Sequence, residues 1–317
     1  MLGKDHHVIF TCWGGLSFFA LAIVPIHGLD STGNRRQSML KNTFHHIRGV
    51  GTTTERRLWD SGILSWEDLL NGSALLLSRR KRQTLTVAIE ESIQHLEARN
   101  PHYFGQRLPS NQCWRVFKDF RDRIAYLDIE TTGLEGEITT IALYDGQTIR
   151  TYVQGRNLDQ FQDDIYEYDV IVTYNGKCFD VPFIESDLGI KLNQIHIDLR
   201  YLLKSVGFSG GLKGCERKAG IDREGLTGLE GYHAPILWQE FKGRRDDKAL
   251  ETLLAYNCQD TINLETLMVM AYNLKLSTTP FIEMHRLELP VMLPIPYKAD
   301  LATVDKVKNM GGWSWGY

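Results

Sequence analysis

The chain has 317 residues, 43% of them apolar and 24% charged, with a formal net charge of -3. Such a composition buries a sizeable core and excludes a disordered chain, while the net charge by itself makes no case for a nucleic-acid or membrane surface. Five cysteines, Cys12, Cys113, Cys178, Cys215 and Cys258, are widely spaced without a CxxC pair. They support neither a disulfide framework nor a cysteine zinc site, and they suit the reducing cytoplasm.

Charge is unevenly spread. Residues 39–125 carry about 14 Lys and Arg against about 9 Asp and Glu, and residues 126–317 about 19 against about 28. A basic front and an acidic rear point to separate tasks.

Residues 8–26, "VIFTCWGGLSFFALAIVPI", are uncharged over roughly the length of a membrane span. Residues 1–38 are read as a dispensable leader or a mis-assigned start, since the ordered pattern opens at Met39. The alternatives are a membrane anchor through residues 8–26, a signal-peptide core without a clear cleavage site, and a buried helix.

Residues 39–100 read as a small helical module. "RGVG" is a tight turn, the threonines after it are expected to cap the next helix, and Gly62 ends that helix. "SWED", 65–68, has the form of a capping box. An amphipathic helix is predicted over roughly residues 75–98. Residues 101–123 contain polar, Pro- and Gly-bearing sequence and are read as a linker with a short helix.

From residue 124 to 276 the period changes. "IAYLDIETTG" is a strand ending in a turn, and two alternating strands follow, joined at Asp145-Gly146. "YDVIVTYNG" is another strand, "NQIHIDLRYLL" a short strand running into a helix, and residues 246–275 a long helix. This is an α/β pattern with a mixed sheet flanked by helices. Residues 277–317 form a C-terminal tail.

Asp128 and Glu130 lie two apart on a strand and share a face. Asp180 follows another strand and is flanked by Phe179 and by Val-Pro-Phe-Ile. Asp260 lies on the late helix, with Tyr256 four residues earlier on the same face. A partly buried carboxylate is costly unless something pairs with it. A shared cation removes that cost. Two Mg²⁺ or Mn²⁺ ions about 3.5–4 Å apart activate a water and stabilise a leaving oxygen in phosphodiester hydrolysis, and oxygen ligands suffice to hold them.

"DIETTG", "YNGKCFD" and "YNCQD", in this order, resemble the three motifs of the DEDDy branch of the ribonuclease H-like 3′–5′ exonucleases. In wording they are similar to the proofreading domain of family B DNA polymerases. The position five before the last aspartate, a histidine in the sister DEDDh branch, is Ala255; the position four before is Tyr256. Within the resemblance, over about residues 124–272, "GGLKGCERKAGI" and "HIDLRYLL" are similar to a bacterial stand-alone subfamily of predicted exonucleases. The resemblance implies a ribonuclease H-like fold and metal binding by Asp128, Glu130, Asp180 and Asp260. It implies that Tyr256 positions the attacking water, Asn175 contacts the strand or braces the site, and Phe179 packs near the terminal base. The expected activity is metal-dependent 3′–5′ exonuclease cleavage at single-stranded DNA or RNA ends. The alternatives are a structure-specific endonuclease of the same fold and a non-catalytic nucleic-acid-binding adaptor.

"HIRGVGTTTERR" resembles a helix-hairpin-helix, with Gly49, Gly51 and Arg56 as candidate phosphate contacts; a packing turn is the alternative. "RRKR", 79–82, reads either as a phosphate track or as a solvated helix face. His196 and Asp198 share a strand face and read as a structural pair, with a metal or substrate role as the alternative. His45 and His46 read as helix surface.

Overall fold

The computed structural model describes residues 37–72, 78–223 and 225–310. The leader and anchor readings for the N-terminus fall on residues outside these. From Ser38 onward the chain forms one unit. Among the described residues, no helix is long and apolar enough to cross a membrane.

The sheet has five strands, β1 (Ile124–Thr131), β2 (Ile138–Tyr144), β3 (Ile149–Val153), β4 (Val170–Thr173) and β5 (Ile195–Asp198), in the order β3-β2-β1-β4-β5. β1 pairs antiparallel with β2 and parallel with β4, which puts it at the centre. Its sequence suits that place, because both faces carry apolar residues. Ala125, Leu127 and Ile129 face one core layer with Ile184, while Ile124 and Tyr126 face another with Leu264 and Leu267. The β2–β3 turn forms as its Asp-Gly pair predicts: the Asp145 carboxylate accepts the N–H groups of Gln147 and Thr148 at 2.9 and 2.7 Å, and Gly146 has φ 90°.

The helices follow in chain order. The front half carries α1 (Thr52–Asp60), α2 (Trp66–Leu70), α3 (Arg79–Glu97) and α4 (Pro101–Arg107). α5 (Phe161–Ile165) and α6 (Asp180–Asp187) cover one sheet face. α7 (Leu199–Lys204), α8 (Gly211–Ala219), α9 (Ala234–Arg244), α10 (Asp247–Leu276), α11 (Ile282–His285) and α12 (Leu301–Met310) complete the chain. α10 is buried nearly all round, its polar Asn257, Gln259, Asp260 and Asn263 included, and packs on the opposite face of the sheet, against β1 and β2.

The front half departs from expectation in several ways. Before the glycine turn there is only a 3-10 turn over Leu40–Asn42, not an α-helix. Gly51, not a threonine, occupies the N-cap of α1, and no side chain caps it. The capping box at Ser65 and Asp68 forms as read. His45 and His46 are not surface residues; they are 8% and 3% exposed. Residues 101–123 are not a solvated connection. Tyr103, Phe104, Trp114, Phe117 and Phe120 are buried in a core cluster that runs from Phe44 and Trp66 to Tyr126 and Tyr272. Large aromatics spaced through a Pro- and Gly-bearing stretch give it enough apolar area to pack. The tail also packs, through Val304 and Val307 of α12.

One buried ion pair holds this front half together, and one buried hydrogen bond ties it to the rest. Glu55 on α1 accepts Arg115 through both carboxylate oxygens, at 3.3 and 2.8 Å, and the N–H groups of Phe44 and His45 at 2.7 and 3.2 Å. His285 on α11 meets Asn42 through Nε2 at 2.7 Å.

Candidate metal centre

β1 sends Asp128 and Glu130 to the face covered by α10, as the two-residue period requires. α10 brings Asp260 to them. Oxygens of Asp128, Glu130 and Asp260 lie within 4.8 Å of one another. Burial pushes the Asp128 carboxyl well above the ordinary carboxylate range, and the charges of Glu130, Asp260 and Asp180 push the same way. Burial and then Asp260 do the same to Glu130.

Asp180 reaches the site by a different route. β4 ends at Thr173 and pairs with β1 only over Ile124–Tyr126, so beyond Tyr126 the edge of β1 that faces away from β2 is left open on the β4 side. The chain turns at Asn175, φ 68°, and at Gly176, where an added Cβ would fall 2.3 Å from the Thr173 hydroxyl oxygen. α6 then begins at Asp180, whose Oδ1 accepts the N–H of Ile129 at 3.2 Å. Asp180 is 3% exposed, and burial pushes its carboxyl up to about 7. It lies beside the three clustered carboxylates rather than within the closest group.

The loop carrying Asp180 is held by Asp198. That carboxylate accepts N–H groups from Asn175 at 2.8 Å, Lys177 at 3.1 Å and Arg200 at 3.0 Å. His196 meets the Thr173 hydroxyl through Nε2 at 2.8 Å. The His196–Asp198 pair therefore fastens the turn. Asn175 is half-buried, with its Oδ1 accepting Arg200 at 2.5 Å. Phe179 packs on Phe183, ring centroids 4.8 Å apart.

Tyr256 is buried one helical turn before Asp260. Burial, then Asp260 and Glu130, raise its phenol well above the usual range. Its neighbour Asn257 donates Nδ2 to the backbone and side-chain oxygens of Asp128, at 3.1 and 2.7 Å, and accepts the Thr140 hydroxyl at 3.1 Å. Asn257 thus locks one Asp128 oxygen and leaves the other to the cluster.

Sequence reasoning missed three residues here, Asn257, Lys213 and Arg223. Lys213 on α8 bonds both oxygens of Asp260, and its ammonium lies 4.5 Å from the Tyr256 ring centroid. Arg223 bonds Oδ1 of Asp260 and, through Nη1, both oxygens of Glu216 at 2.8 and 2.7 Å. Both cations come from the stretch around "GGLKGCERKAGI", but nothing local says that they fold back onto α10.

The donor set fits a hard divalent cation. It is all oxygen, clustered, mostly buried, and repelled by its own charge. Gly49 and Gly51 of the front half line a separate surface cleft of about 390 Å³ with His45, His46, Arg48 and Arg107. Arg56 is not in that lining; it is exposed and donates to the Thr278 carbonyl at 3.4 Å.

Residues 125–272 match the model of the RNase_H superfamily. The uncharacterized protein YprB of Bacillus subtilis (strain 168) is 30% identical over 174 residues, which cover 47% of this chain and 42% of that protein. The chain therefore spans less than half of that relative's length. A family B DNA polymerase from the hyperthermophilic archaeon Pyrobaculum calidifontis is similar over 52% of this chain and 27% of its own, at 16% identity and a TM-score of 0.37. With a mixed five-stranded sheet, helices on both faces and the family match along it, residues 125–272 are a ribonuclease H-like domain.

Proposed function

We propose that this chain is a metal-dependent 3′–5′ exonuclease acting on single-stranded DNA or RNA ends. The observation that carries the proposal is the convergence of Asp128, Glu130 and Asp260 within 4.8 Å, with Asp180 beside them, in a ribonuclease H-like domain. Asp128, Glu130, Asp180 and Asp260 would hold Mg²⁺ or Mn²⁺. When bound, two such ions lower the pKa of water and stabilise negative charge on the leaving oxygen.

The chain's own groups do the rest. Asn257 fixes Asp128 by its two hydrogen bonds. Asp198 fixes the turn that delivers Asp180. Tyr256, buried one helical turn before Asp260, would orient the attacking water through its hydroxyl. Asn175, on the turn before α6, and Phe179, next to Asp180, would hold the terminal nucleotide. In the front half, the strand's phosphates would dock in the cleft at Gly49 and Gly51, where α1 begins with uncapped amides and Arg48 and Arg107 supply charge. Arg56 contributes there only at longer range.

End-labelled single-stranded DNA and RNA oligonucleotides, incubated with Mg²⁺ or Mn²⁺, test the proposal. A one-nucleotide ladder from a 5′ label is the expected result. Internal fragments would mean an endonuclease, and binding without cleavage an adaptor.

A further inference from the structure

Asp260 is met by two cations whose surroundings differ. Lys213 reaches it at the end of a flexible side chain that is 13% exposed. Among the described residues, its ammonium has no hydrogen-bond partner besides Asp260. It also faces the Tyr256 ring, whose centroid is 4.5 Å away, a weaker partner than a carboxylate, so a divalent cation of higher charge can displace it into solvent.

Arg223 is anchored. Its side chain is 10% exposed, and Nη1 is held by both oxygens of Glu216, itself 1% exposed. Glu216 is held in turn by Asn263, which donates Nδ2 to Oε1 at 2.8 Å, and Asn263 accepts Gln259 at 2.8 Å. Gln259, Asp260 and Asn263 sit within one turn of α10, so the network starts and ends on the same helix. Pulling Arg223 off Asp260 would leave a buried guanidinium with only one of its two carboxylates, which is costly.

We propose that Arg223 is a positioning residue. It stays on Oδ1 of Asp260 and aims Oδ2 at the metal centre, whereas Lys213 is a placeholder that the metal expels. The inference rests on the metal-binding reading above and deepens it. The two cations, equal in charge and on the same carboxylate, then have opposite effects on metal affinity. Loss of Lys213 removes a competitor. Loss of Arg223 frees the carboxylate to turn, and groups that orient a metal ligand typically contribute about tenfold or more to affinity.

The test is Mn²⁺ titration of the full chain by calorimetry, with unfolding followed in parallel in chelator. Lys213→Met is expected to bind Mn²⁺ severalfold more tightly than wild type, Arg223→Met about tenfold more weakly, and Arg223→Lys in between. Glu216→Gln, which keeps Arg223 but loosens its anchor, is expected to weaken binding as well, and it stands in if Arg223→Met does not fold. A purely structural Arg223 would lower thermal stability in chelator and leave Mn²⁺ affinity unchanged, and that result overturns the proposal. So does tighter binding by Arg223→Met or Glu216→Gln. Asp128→Asn separates the two levels. If wild type binds no Mn²⁺, or binds it as Asp128→Asn does, the metal reading itself fails. If Asp128→Asn abolishes binding while the Arg223 and Glu216 variants match wild type, only the present inference fails.

Discussion

Two buried carboxylate sites in this molecule have been given opposite charge balances. Glu55 in the front half is closed: Arg115 takes both of its oxygens, two backbone amides donate to it, and His45 Nε2 lies 3.7 Å away. The sheet-face site is open. Asp128, Glu130, Asp180 and Asp260 share Lys213 and Arg223, both of which contact Asp260 alone among the four. A closed site holds elements together. An open one stores repulsion that a cation can relieve, and ligand sites are built that way. The contrast separates structural from functional burial better than burial itself, since Glu130, Asp180 and Asp260 are buried as Glu55 is.

Removing one carboxylate from each site should break the comparison most sharply. Asp128→Asn is expected to abolish cleavage, by about a thousandfold or more, because it removes the central ligand on the middle strand. It should not lower thermal stability in chelator, and it should raise it as repulsion is relieved. Glu55→Ala is expected to do the reverse. It leaves Arg115 buried and unpaired, which costs about 3–5 kcal/mol in urea unfolding, with turnover per folded molecule little changed. Similar stability losses in both variants would erase the distinction.

A smaller effect is expected at Tyr256. Tyr256→Phe removes only the hydroxyl that orients water, so single-turnover rates on oligonucleotides should fall by about tenfold to a hundredfold, with Mn²⁺ affinity retained. A loss as complete as that of Asp128→Asn would refute the orienting role.

The pH dependence of stability sharpens the same contrast. The Asp180 carboxyl is raised to about 7 in the folded protein. Its contribution is favourable at low pH and is lost as pH rises from the ordinary carboxylate value to about 7. Burial, with Arg107 and Arg115 nearby, lowers His46 to about 3, and burial beside Lys118 lowers His285 to about 3. Their contribution is complete above about pH 6.5 and falls away as pH drops towards 3. Thermal melts in chelator should therefore show stability limited from the acid side by the histidines and from the neutral side by Asp180 together with Asp128 and Glu130, whose carboxyls are raised as well. Asp180→Asn should ease the second limit and leave the first.

The smallest effect is expected at the front cleft. Gly51 has extended backbone, φ -100°, and an added Cβ would meet nothing within 4 Å, so Gly51→Val should fold. If phosphates dock there, the variant weakens oligonucleotide affinity at low salt by a few fold, about 1 kcal/mol or less, and leaves saturated turnover unchanged. Unaltered affinity in filter binding would make the turn a packing device.

What the sequence determined by itself was whatever depends on local period. The two-residue repeat put Asp128 and Glu130 on one face of a strand. The helical repeat stacked Tyr256 on Asp260, and the turn chemistry at Asp145 and Ser65 marked where elements stop and start. The tertiary structure decided which charges are balanced. Arg115 meets Glu55 across 60 positions, Lys213 and Arg223 meet Asp260 across 47 and 37, and Asn257 meets Asp128 across 129. Period and propensity do not encode such pairings, because a side chain's partner depends on how helices and strands pack once both have formed. The same holds for residues 101–123. Their composition reads as a connection, and only packing against both halves shows where their aromatics go.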